Sequence, residues 1–312
     1  MTDDYAIEAT DLRKVFGDTV AVDSLSLQVP KGKIYGLIGP DGAGKSTTIR
    51  MLATILEPTS GDAHVAGHSI VTQSEAIKPR VGYMPEEFTL YRDLTVMENL
   101  NFFADLFGVT SAKKRERTEQ LLAFSRLQKF TQLRAENLSG GMKQKLALAC
   151  TLIHEPDILF LDEPTTGVDP VSRRDFWRIL SDLHARGVTM FIATPYMDEA
   201  ERCSSVAFME NGKIILEDTP SKIKARLEGG LVEIKADPLR PAMAMLQKNG
   251  LVSSVDMYGE LLQVRVDSPA EALPELEDFL KKNGIRIEAI NPARVSMESA
   301  FIDLLKTRRD PR

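Results

Sequence analysis

Lys33–Leu56, "KIYGLIGPDGAGKSTTIRMLATIL", is the stretch that decides the fold. Its first part is a near-continuous apolar run ending in glycine, as expected for a parallel strand buried on both faces, and "GKSTTIRMLATIL" continues it as a helix. Between them, Gly39–Thr47 fits G-x-x-x-x-G-K-[ST] in the strand-to-helix context that this spacing needs. Glycines let backbone N–H groups curl around phosphate oxygens, the helix N-terminus adds partial positive charge, and Lys45 brings a point charge to the β- and γ-phosphates. Gly39, Pro40, Asp41, Gly42, Ala43, Gly44, Lys45, Ser46 and Thr47 are therefore the expected phosphate cradle, with Ser46 as a Mg²⁺ ligand.

Working outward, the first thirty residues alternate polar and apolar, which predicts strands with one wet face. After the opening stretch come a turn and short strand in "PTSGDAHVAG", then a helical middle over about 96–153 broken by "NLSGG". Strands and helices alternate from there, pointing to a parallel sheet covered by helices. Charge and paired glycines at 222–230 mark a linker, beyond which the order βαββαβ predicts a small α+β sandwich of the ferredoxin-like kind. The expected organisation is an α/β unit over 1–221 with a helical subdomain at about 87–153, the linker, and an accessory unit over 231–312. The accessory unit has no cluster of His, Cys or paired carboxylates and reads as a dimerisation or regulatory module. A last helix, "MESAFIDLLK", and a solvated basic tail, "KTRRDPR", close the chain.

The bulk numbers exclude several classes. With 39 basic and 45 acidic side chains the net charge is −6, which argues against a nucleic-acid partner. No apolar run approaches the roughly 20 residues of a membrane helix, and the acidic start lacks the apolar segment of a secretory signal. Cys150 and Cys203 lack metal-like spacing and read as reduced core residues, which fits cytoplasm.

"DILFLDEP", Asp157–Pro164, is a second apolar strand, ending in two carboxylates. Alone, such a pair is simply solvated. At the tip of a parallel sheet beside the phosphate loop, Asp162 is placed for the Mg²⁺ shell and Glu163 to orient or deprotonate an attacking water. Ser139, Gly140 and Gly141 open an Ala- and Leu-rich helix whose bare amides suit an anion. A simple helix cap explains Ser139 but not two glycines that cost helix stability.

"GPDGAGKST", "LSGGMKQ", "LFLDEP" and "GVDP", in that order and spacing, resemble the ATPase subunit of an ABC transporter over about 6–218. "YMPEEFTLYRDLTVMENL" and "VSMESAFIDLL" are similar to the ABC-2-type exporter branch, including its tandem-ATPase members. The resemblance implies a P-loop ATPase with antiparallel β and helical subdomains, working at the cytoplasmic face of the cell membrane. It implies ATP and Mg²⁺ as cofactors, and a head-to-tail dimer holding each ATP between one subunit's phosphate loop and the other's "LSGG". Phe16 then resembles the residue that stacks on adenine, Asp169 the one that crosses the dimer interface, and Glu86–Leu100 the segment that meets the membrane permease.

Two positions depart from the family pattern. Glu86 stands where many members have glutamine, and can still touch Mg²⁺ or its water. Pro195 in "TPYMDEA" stands where the family usually has a histidine that bonds the γ-phosphate and steadies the catalytic glutamate. Proline offers no side-chain donor and no N–H. The expectation is a site that binds MgATP and hydrolyses it slowly, aided by Lys45 and Glu163, within an asymmetric ATPase heterodimer. A homodimer, a non-transport ABC ATPase and a regulatory subunit with little hydrolysis are the alternatives.

Overall fold

The protein is described by a computed structural model covering residues 4–87, 89–226, 229–293 and 295–301. It separates into two compact units, Met1–Thr219 and Pro220–Arg312. In chain order the first unit runs β1 (Tyr5–Phe16), β2 (Thr19–Pro30), β3 (Ile34–Ile38), α1 (Lys45–Leu52), β4 (Ser60–Val65), β5 (His68–Ser69), α2 (Ser74–Ile77), β6 (Val81–Met84) and α3 (Val96–Leu106). It continues through α4 (Ser111–Ser125), α5 (Gly140–Leu152), β7 (Ile158–Asp162), α6 (Pro170–Ala185), β8 (Thr189–Thr194), α7 (Met197–Ala200), β9 (Ser205–Glu210) and β10 (Lys213–Asp218).

Every residue of β3, β7 and β8 is buried, as the continuous apolar runs predict for strands covered on both faces. They lie in a six-stranded sheet of order β10-β9-β3-β8-β7-β6, parallel except for β10 at its edge. Tyr35, Phe160 and Phe191 pack together, with the Tyr35 and Phe191 rings stacked at a centroid distance of 5.2 Å. Each such side chain taken from water contributes about 1.5–3 kcal/mol. Register then fixes the site's position. Ile38 pairs with Thr194 and Asp162 with Ala193, so the loops after β3, β7 and β8 leave the same sheet edge side by side. Ligands bind at that edge in open parallel sheets.

A separate antiparallel sheet, β2-β1-β4-β5, carries the alternating strands of the N-terminal part. The helical middle forms α3, α4 and α5 around Val96, Leu100, Leu122, Leu127 and Leu146. Thr95 and Glu98 start α3 with a reciprocal capping box. Cys150 and Cys203 are both free and buried.

The second unit contains α8 (Pro220–Ala225), β11 (Gly230–Asp237), α9 (Leu239–Leu246), β12 (Val252–Tyr258), β13 (Leu261–Val266), α10 (Pro269–Lys282) and β14 (Arg286–Ala293). Its antiparallel sheet has the order β12-β13-β11-β14, the ferredoxin-like arrangement that the βαββαβ pattern predicts. Val232, Ile234, Leu262, Val264, Leu276 and Leu280 fill its core. Within the stretch read as linker, Lys222–Ala225 lies in α8 and Gly230 already belongs to β11. Of the last expected helix only Met297–Phe301 is described, and its remainder, the basic tail and Phe88 lie outside the described residues.

Candidate phosphate-binding site

Gly39–Thr47 wraps the end of β3 into α1, and the backbone explains its glycines. A Cβ on Gly39 would lie 2.3 Å from the Met209 carbonyl oxygen, and one on Gly44, at φ +105°, 2.4 Å from that of Ala21. Only glycine fits either place. Lys45 follows at the first position of α1, almost wholly buried. Its Nζ donates to the Pro40 carbonyl at 3.0 Å and pairs with Glu163 Oε1 at 3.3 Å.

The carboxylates sit as the "DE" pair requires. Ser46 Oγ donates to Asp162 Oδ1 at 2.9 Å, while Asp162 Oδ2 is buried with no hydrogen-bond partner. Burial pushes the Asp162 carboxyl above the usual range, against the Ser46 bond and the Arg50 charge. Glu86 is also pushed up, first by desolvation and then by the charges of Glu163, Asp162 and Asp41. Glu163 adopts φ +47°, uncommon for a residue with a side chain and often found at functional sites. Its N–H donates to the Ala193 carbonyl at 2.8 Å, and Thr166 Oγ1 donates to Glu163 Oε2 at 3.1 Å.

These groups line one cleft of about 360 Å³ formed by Ala21, Asp41, Gly42, Gly44–Thr47, Glu86, Glu163, Thr166, Pro195 and Tyr196. Pro195 thus faces the site. Gly39, Pro40, Ala43 and Asp162 are not in the lining, although Pro40 and Asp162 accept from the lining residues Lys45 and Ser46, and none of the four histidines lines it. A larger cleft of about 540 Å³ opens at the other end of the sheet, by Ile158 and Thr189, and contains no residue singled out from the sequence.

The chemistry of this donor set suits Mg²⁺. A hydroxyl, an orphaned buried carboxylate oxygen and a nearby glutamate match an ion that keeps most of its waters and takes one or two protein oxygens. Among the described residues no three His, Cys, Asp or Glu side chains form a ready-made metal cage, and Mg²⁺ at a phosphate loop needs none.

Five predicted residues stand apart from the cleft. Ser139 caps α5, accepting from the Met142 N–H at 3.3 Å. Gly141 packs so closely on α6 that a Cβ there would lie 2.4 Å from Ser172 Cβ. Asp169 caps α6, accepting from the Val171 and Ser172 N–H groups, and the Ser172 side chain first, then these N–H bonds, hold its carboxyl low. Ser139–Gly141 and Asp169 therefore meet at the α5–α6 junction, and none of them lines the cleft. Phe16, at the end of β1, is half exposed with Lys14 Nζ 5.2 Å from its ring centroid, and does not line the cleft either.

Sequence reasoning missed Thr165, Thr166, Trp177, Tyr196 and Glu199. Glu199 lies in an acidic-looking helix but is fully buried, accepting from Thr165 Oγ1 and from Trp177 Nε1 at 3.1 Å. One clue was its place four residues before the apolar-context Cys203, on the same face of the chain.

Comparison with known proteins agrees with this geometry. Residues 22–166 match the family described as ABC transporter. The chain is 41% identical to the probable multidrug ABC transporter ATP-binding protein YbhF of Escherichia coli over 97% of its own length, but spans about half (52%) of that protein. It is 38% identical to the Nod factor export ATP-binding protein I of Cupriavidus metallidurans over 96% of each chain. It is 34% identical to the daunorubicin/doxorubicin resistance ATP-binding protein DrrA of Streptomyces peucetius, over 98% of this chain and 94% of that one. Among solved structures, an ATP-binding subunit of an ABC transporter superposes with a TM-score of 0.65 at 29% identity, over 71% of this chain and 92% of that one. The cbiO1 protein of Clostridium perfringens does so at 0.66 and 26%, over 71% and 91%. With the phosphate loop, the paired carboxylates and these relatives in agreement, the chain belongs to the ATP-binding proteins of the ABC transporter family.

Proposed function

We propose that the chain is the energising subunit of an ABC-2-type exporter and converts ATP and water to ADP and phosphate. The observation that carries this reading is the pairing at one sheet edge of Lys45 with Glu163 and of Ser46 with Asp162, around glycines with no room for a side chain. Gly39–Thr47 receives the phosphates and Lys45 neutralises the β- and γ-oxygens. Ser46, Asp162 and Glu86 would hold Mg²⁺, whose positive charge would offset that of the transferring group. Glu163 orients the attacking water and accepts its proton as the bond to the γ-phosphorus forms and the bond to the ADP oxygen breaks.

The cleft lacks Ser139–Gly141, Asp169 and Phe16. Ser139–Gly141 and Asp169, gathered at the α5–α6 junction, fit a role toward a second ATPase subunit, and Phe16 fits adenine at the open side. Pro195 in the lining makes this chain's own cleft the slower one, so we favour an asymmetric dimer with a histidine-bearing partner. Loss of one preorganised contact to the transferring group costs about a hundred- to thousandfold in rate. Exposed Tyr91, Phe102, Leu106 and Phe107 make the segment around α3 a fitting surface for a membrane permease at the cytoplasmic face. No helix of the described residues is long and apolar enough to cross a membrane. The relatives bear the names of different compounds, which favours cargo choice by the permease. The second unit, as an accessory module over Pro220–Arg312, serves dimerisation or regulation.

The test is ATP binding and steady-state phosphate release by the purified chain. Lys45→Ala is expected to weaken ATP binding, and Glu163→Gln to keep binding but lose release. Equal release by wild type and Glu163→Gln favours a regulatory, non-hydrolysing subunit instead.

A further inference from the structure

We propose that Thr166 and Thr165 position Glu163 in place of a side chain at residue 195, tying it to the buried carboxylate of Glu199. Pro195 faces the cleft with no donor of its own. Glu163 Oε2 is instead held by Thr166 Oγ1 at 3.1 Å, and Oε1 faces Lys45 Nζ. Thr165 turns the other way and donates to Glu199 Oε1, which also accepts from Trp177 Nε1 on α6. Glu199 Oε2 is buried with no hydrogen-bond partner, a cost that a protein seldom carries without a use. Glu199 stands on α7, directly after Pro195 and Tyr196, so the segment that offers no side-chain donor at residue 195 grips the Glu163 loop through Thr165. Arg173 of α6 adds a second hold, its guanidinium lying 4.3 Å from the Tyr196 ring centroid.

Two adjacent threonines thus face two carboxylates, one in the cleft and one in the core. With Glu163 at φ +47°, its side chain depends on such neighbours for its aim. Thr165, Thr166 and Glu199 are positioning residues.

This inference rests on Glu163 acting on the water, and the experiment separates the two. Steady-state ATPase is measured on the full chain with MgATP for wild type, Glu163→Gln, Thr166→Val, Thr166→Ser, Pro195→His and the Thr166→Val/Pro195→His pair. Thr166→Val is expected to lower kcat about tenfold with KM within about twofold, because a misaimed group loses rate rather than binding. Thr166→Ser keeps the hydroxyl and is expected to stay near wild type. In the Pro195→His background, where a donor again faces Glu163, the Thr166→Val loss is expected to shrink below about threefold. Glu199→Gln, which can still accept from Thr165 and Trp177, is expected to retain activity where Glu199→Leu loses it and shifts the emission of Trp177, the chain's one tryptophan. Losses from Thr166→Val that multiply independently of Pro195→His, or that move KM alone, overturn the inference. A wild type no faster than Glu163→Gln overturns the hydrolytic reading, and the inference with it.

Discussion

At Pro195, by our proposal, a single residue sets how fast the site works without altering how it is built. The cleft keeps its glycine cradle, its Lys45–Glu163 pair and its Ser46–Asp162 bond, all of which are independent of residue 195. A second residue-scale case is Tyr35, buried in β3, whose hydroxyl donates to Glu217 Oε1 at 2.9 Å. Burial, then the Glu217 charge, pushes this phenol well above its ordinary 10.0. An unfolded tyrosine releases its proton as pH passes 10.0 while the folded one keeps it, so Tyr35 adds stability below that pH that is lost above it. Tyr35→Phe is expected to cost about 1 kcal/mol at neutral pH, where it leaves Glu217 without its donor. It is also expected to flatten the alkaline fall in stability, and urea titrations across the alkaline range check both signs.

At the scale of elements, helix starts carry much of the organisation. Thr95 and Glu98 cap each other's backbone at the head of α3. Thr95→Ala is expected to lower unfolding free energy by about 1 kcal/mol, read from the urea midpoint. Gly141→Ala drives a methyl into Ser172 and is expected to cost about 1–3 kcal/mol, because α5 and α6 meet with no space between them. Pairing Gly141→Ala with Ser172→Gly, which vacates that space, is expected to recover most of it. Legibility also divides at this scale. The buried strands, the phosphate loop and the βαββαβ order could be read, because apolar runs and loop glycines are local consequences of burial on both faces and of backbone turns. The Thr165–Glu199–Trp177 network could not. Its three members come from a loop, α6 and α7, and local pattern assigns a glutamate in "MDEAERC" to solvent.

Across the whole molecule, the first unit holds the phosphate-loop cleft and, at the α5–α6 junction, a set of capping residues that line no part of it. An isolated chain is therefore expected to bind ATP through its own loop whatever stands at residue 139. Ser139→Arg should leave the ATP affinity of the purified chain within about twofold, since a group outside the contact adds little. Equilibrium titration with a fluorescent ATP analogue checks this, and a large loss of affinity means that Ser139 serves its own chain's nucleotide. By our proposal this cleft binds ATP well and hydrolyses it slowly because of Pro195. The deciding measurement is the steady-state ATPase rate of wild type beside Pro195→His, with Glu163→Gln as the inactive control. We expect a wild-type rate slow but above the control, raised about tenfold or more by histidine. A wild type that already turns over briskly and gains nothing from histidine contradicts the claim and favours a self-sufficient homodimer.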